Sequence, residues 1–126
     1  MSLSPSLSAS SPPNGTMDAL LAHAPVDAAR LAELLAQEFE VLKARDMAGF
    51  ETLQEERIQI LQRLSQVAQW AAGLDPVPAQ WQNLQPDLLQ CKQDHLRNMQ
   101  LLQRQLQAVQ GALQALQGES AATVDL

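Results

Sequence analysis

One apolar stripe constrains this chain more than any other feature. Leu88, Cys91, His95, Met99, Leu102, Leu106, Val109, Leu113 and Leu116 recur in steps of 3, 4, 4, 3, 4, 3, 4 and 3. That spacing lines residues up on one side of an α-helix, whereas a half-buried strand needs alternation every second residue. Residues 86 to 117 are therefore read as one long helix. Pro86 suits its first turn, where a missing N–H costs nothing, and Gly118 is the expected stop. The doubled four near His95 is a phase shift of the stutter type, which locally relaxes a supercoil.

A helix with one apolar side needs partners, and the chain supplies them upstream. Phe50, Leu53, Arg57, Ile60, Leu64, Val67 and Ala71 alternate steps of three and four, a heptad seam over a helix at about 47 to 72. Leu61 and Ala68 widen this seam toward a third partner. Leu31, Leu34, Leu35, Glu38, Phe39 and Leu42 give a helix at 28 to 45, with Glu38 as the one polar member. Asp27 and Asp46 are the expected N-caps, carboxylates that accept from the orphan N–H groups of a helix start. The link at Asp46 is very short, which makes antiparallel neighbours. A short helix at 17 to 24 is expected to break or kink at Pro25. Gly73 and the run "DPVP" end the second helix, and Trp81 is expected to plug the bundle end. Residues 1 to 16 read as a disordered Ser/Pro tail and 119 to 126 as a short polar tail. The fold class is all-α: an antiparallel helical bundle over 17 to 118, a coiled-coil-like three-helix array with a long C-terminal helix.

The helices are unequal. At ~1.5 Å per residue the third is roughly 48 Å long, the second roughly 39 Å and the first roughly 27 Å. If the third helix folds back on the second, facing residues sum to roughly 158, so residue 47 faces about residue 111. Leu113 and Leu116 then overhang the bundle. Burying a Leu is worth about 1.5–3 kcal/mol, so this bare stripe predicts a partner or self-association. Residues 98 to 118 carry one charge, Arg104, and a partner helix can settle there without desolvating ions.

Composition excludes several classes. The net charge of −6 opposes a nucleic-acid grip, which needs clustered cations, and an anionic membrane surface. No stretch approaches the ~20 apolar residues of a membrane span, and no secretion signal is visible at the start. The single cysteine, Cys91, forms no internal disulfide, so a cytoplasmic location is expected. Cys91 and His95 share a helix face, but structural zinc needs four ligands, and His23 is the only other histidine. No cofactor or metal is expected. Ser65 has no visible His partner, and Glu51, Glu55 and Glu56 read as a solvated face, so no enzyme activity is expected. Trp70 and Trp81 read as end-of-bundle packing. Arg57 interrupts an apolar seam: either its stem packs there with its head reaching water, or it pins the register through a bond to Asn98.

The run "LLAQEFEVLKARDMAGFETLQEERIQILQRL", residues 34 to 64, resembles the FlgN family of flagellar export chaperones. The matching features are Glu38 and Leu42 in the first helix, Arg45 with Asp46 at the link, and Leu53, Arg57, Leu61 and Leu64 in the second helix. The third helix is similar in its Cys-containing turn, its Asn98 and its close in Leu and Gly. Met99 stands where a Gly is common in the family. The resemblance covers roughly 27 to 118, and its motifs are mostly helical periodicity in a particular order.

What the resemblance implies is a small cytosolic chaperone of type III export. It would bind the C-terminal helical segments of the hook–filament junction proteins FlgK and FlgL and keep them unassembled before export. The role is carried onto Leu102, Leu106, Val109, Leu113 and Leu116, together with Asn98, and the recognition mode is helix-in-groove. The export apparatus is a further implied partner. Family members can carry a Tyr in the tail that helps dock them on the export gate; this chain has none. Two other readings stay open: a self-associating structural bundle, and a type III chaperone for another flagellar cargo.

Overall fold

The structure is a computed structural model that describes residues 14 to 125, with side chains described from 16 to 118. It is all-α: α1 (Asn14–Lys43), α2 (Met47–Ala72), the single turn α3 (Ala79–Gln82) and α4 (Gln85–Asp125). The expected Ser/Pro tail lies outside the described residues up to residue 13, and residues 14 to 16 already belong to α1.

The expected break at Pro25 does not occur, and α1 runs through it. Pro25 has no N–H to give the Leu21 carbonyl one turn back, at a cost of ~3 kcal/mol in a helix interior. Met17, Leu21 and Ala24 before it are buried in the same core as Ala28, Leu31 and Leu34 after it. Two large side chains upstream, at about 1.5–3 kcal/mol each, are enough to offset the lost bond. Asp27 is consequently mid-helix and not an N-cap. Its carboxylate is buried and takes both prongs of Arg63, Nε at 3.0 Å and Nη2 at 2.8 Å, with His23 Nε2 3.5 Å away.

The α1–α2 link is tight because both helix ends are capped locally. Arg45 N–H bonds the Leu42 carbonyl and Asp46 N–H the Val41 carbonyl, the paired bonds of a Schellman ending. Arg45 stands at the left-handed position, φ 58°, where glycine is usual. Asp46 then caps α2, accepting from Gly49 N–H at 2.9 Å. A Cβ on Gly49 would run into the Asp46 carboxylate, so a larger residue there must displace the capping side chain.

The partner of α4 differs from the expected one. α4 packs along α1, while α2 and α4 meet only sparsely. Cys91 Sγ lies 4.0 Å from the Ala28 carbonyl, Asn98 Nδ2 2.9 Å from that of Leu35, and Gln105 Nε2 2.6 Å from that of Leu42. Every one of these pairs is 63 residues apart, so α1 and α4 run parallel in a seven-residue register. α2 runs antiparallel to α1, with Arg30 on Glu56, Asp27 on Arg63 and Glu38 on Gln54. The segment from Gly73 to Leu84 is long enough to cross the end of the bundle, and Trp81 and Leu84 on it join the core. This crossing seats α4 on α1; a tight hairpin would have laid it on α2.

Gly118 does not stop α4, which continues to Asp125. Nothing lies within 4 Å of a Cβ built on Gly111 or Gly118, so neither glycine serves a close approach.

Candidate helix-binding surface

From Leu106 to Gly118, past Gln105, which reaches back to Leu42, α4 has no internal partner among the described residues. Every residue from Leu106 to Gly118 is exposed. Leu102 is half-buried, whereas Leu106, Val109, Leu113 and Leu116 are each more than half exposed. The overhang begins about five residues earlier than the length argument on helices two and three expects, because α1 and not α2 is the rod that α4 outruns. Glutamines at 103, 105, 107, 110, 114 and 117 surround the stripe. The surface is apolar with an uncharged polar border.

Asn98 does not belong to this surface. It is fully buried, donates to the Leu35 carbonyl at 2.9 Å and lies 3.4 Å from Glu38 Oε1. Its amide ties α4 to α1 and is closed to a partner. Glu38, also fully buried, is the hub of an interior polar cluster. Arg57 Nε stands 2.7 Å from Glu38 Oε2, but the N–H points away from a bonding line and Nε has no hydrogen-bond partner. The contact is ionic. Arg57 also bonds the Gln54 amide oxygen, and its Nη1 lies 3.4 Å from His95 Nδ1. Neither expectation for Arg57 holds as stated: its head is not in bulk water, and it reaches Asn98 only through Glu38. The reason is again register, since Arg57 faces His95, several residues short of the position that a facing sum of roughly 158 assigns it.

Between α2 and α4 lies a cleft of about 350 Å³ that sequence reasoning did not anticipate. Leu31 and Leu35 of α1 form its floor, Leu61, Leu64 and Ala68 one wall, Leu88 and Cys91 the other, and Trp81 closes one end. The signal was present in Leu61 and Ala68, which widen the α2 seam toward a third helix. That helix sits too far round α1 to cover them. Burial holds the His95 imidazole below its ordinary value, Arg57 beside it adds to the effect, and Glu38 opposes it. Burial likewise pushes the Cys91 thiol up, with Asp94 and Asp87 contributing. Both side chains are neutral in a neutral solution and suit an apolar wall.

Among the described residues no group of three or more His, Cys, Asp or Glu is placed to hold a metal, and no helix is long and apolar enough to cross a membrane. No protein-family model, no curated protein and no solved structure matches the chain.

Proposed function

We propose that this protein is a cytoplasmic export chaperone that holds the amphipathic C-terminal helices of the flagellar hook–filament junction proteins, FlgK and FlgL, before type III export. One observation carries the reading: the bare apolar stripe Leu106–Val109–Leu113–Leu116 on a helix that outruns its own bundle. The resemblance of residues 34 to 64 to the FlgN family supplies the cargo. A client helix laid on the stripe buries leucines that otherwise face water, each worth about 1.5–3 kcal/mol. The client segment orders as it binds, which consumes part of that energy. No nucleotide or cofactor enters such holding.

Self-association would bury the same stripe, and the oligomeric state of the free protein separates that reading from client binding.

Coexpression with the C-terminal ~50 residues of FlgK or FlgL, a length that spans several heptads, tests the reading. The expected outcome is a soluble equimolar complex by light scattering, absent with the flagellin C-terminus. No complex with any of them, together with a tight homodimer, overturns it.

A further inference from the structure

We propose that the α2–α4 cleft is part of the same binding surface and selects an acidic-edged amphipathic helix of about 28 residues, spanning roughly 42 Å at ~1.5 Å per residue. The proposal rests on the chaperone reading and adds the length and charge of the client.

Continuity is the first argument. Leu88 and Leu106 are 18 residues apart, as are His95 and Leu113, which is about five turns of α-helix. The cleft wall and the overhanging stripe therefore share one side of α4. A helix lying on Leu106 and Leu113 continues, without changing direction, into the trough above Leu31 and Leu35.

The lips are the second argument. Leu61 on α2 lines the cleft and is an exposed large apolar residue, and across from it Leu88 on α4 is only partly buried. A fourth rod between them completes a four-helix arrangement around α1, covering the seam that α2 and α4 leave open.

Charge is the third argument and decides the occupant. The chain as a whole carries −6, and Asp87 and Asp94 are near enough to act on Cys91, yet among the described residues the ionisable groups that line the cleft itself are Arg57, Lys92, His95 and Cys91, with no carboxylate. Arg57 is occupied by Glu38. Lys92 is exposed and makes no ion pair among the described residues. A client helix with glutamate or aspartate along one edge meets Lys92 at the mouth, whereas a basic helix meets like charge.

The probe is a designed 28-residue peptide, leucine at its heptad core positions and glutamate at the flanking ones, compared with the same peptide carrying lysine. Trp70→Phe leaves Trp81, at the cleft end, as the one fluorophore of its kind. At physiological salt, where the long-range field of the net charge is screened, the glutamate peptide is expected to bind about threefold tighter than the lysine peptide and to shift Trp81 emission. Lys92→Glu, at an exposed site, is expected to erase that preference. Equal affinity for the two peptides, or saturation with no change at Trp81, overturns the proposal. Loss of binding in Leu106→Glu/Leu113→Glu with Trp81 silent throughout would mean that the overhang acts alone: the chaperone reading survives and the cleft assignment fails. Binding of the acidic peptide with a Trp81 response, but no complex with FlgK or FlgL segments, would sink the named cargo and keep the cleft.

Discussion

Glu38 shows how a single residue can join all three long helices. It sits fully buried on α1, with Arg57 of α2 and Asn98 of α4 on its two oxygens. Glu38→Ala leaves a largely buried guanidinium unpaired, so stability should fall by about 3–5 kcal/mol. Glu38→Ala with Arg57→Ala should cost less than the sum, which a double-mutant cycle from urea melts will show. Asn98→Ala removes a bond to a buried carbonyl and should cost about 1–3 kcal/mol, with cargo affinity per folded molecule unchanged. His95 gives a pH dependence of known sign. Its pKa is lower in the folded chain than in the unfolded one, so below the ordinary histidine value the unfolded state binds more protons. Stability attributable to this group is intact at neutral pH and declines as pH falls through that value. Urea melts at several pH values should show a smaller decline for His95→Gln than for the parent. Of these residues, Glu38 was legible as the polar member of an apolar stripe. Asn98 was not, because spacing cannot say whether a polar side chain faces a helix inside the molecule or one outside it.

At the scale of elements, helix ends divide into those fixed nearby and those fixed at a distance. The Asp46 cap, the Gly49 contact and the Schellman turn at Arg45 involve residues within five positions of each other, which is why the α1–α2 link was readable. Gly49→Ala should lower stability although alanine is the better helix former, because its Cβ enters the space of the Asp46 carboxylate. Arg45→Gly should raise it by up to about 1 kcal/mol by relieving a left-handed non-glycine; thermal melts distinguish the two signs. Pro25 and Gly118 are the opposite case. Local preference marks both as breaks, and α1 passes Pro25 because the buried side chains on either side bind one core. Helix α4 passes Gly118 although residues 106 to 118 are all exposed, and nothing among the described residues explains that continuation.

For the whole molecule, the decisive quantity is how far α4 outruns α1. Amides from 107 to 118 should exchange rapidly in the free protein, while those of Leu34 and Leu35 are protected, and a bound client helix should slow the former. Leu106→Glu/Leu113→Glu should abolish cargo binding and leave helicity and melting temperature nearly unchanged, since both residues are exposed. Leu64→Ala, in the core, should instead cost about 2–5 kcal/mol. If the double glutamate variant unfolds as readily as Leu64→Ala, the free-face assignment is wrong.

The amino-acid sequence by itself determined the helices, their apolar sides, the tight α1–α2 link and the existence of an unmatched length in the last helix. Those properties follow from residue spacing and from hydrogen bonds made within a turn or two. Only the tertiary structure decided that α4 lies parallel on α1 and so leaves the α2–α4 cleft open, with the overhang starting at Leu106. A leucine seam is indifferent to which apolar face it meets. The choice is made by the crossing segment from Gly73 to Leu84 and by Cys91, Asn98 and Gln105, whose side chains reach α1 carbonyls one heptad apart.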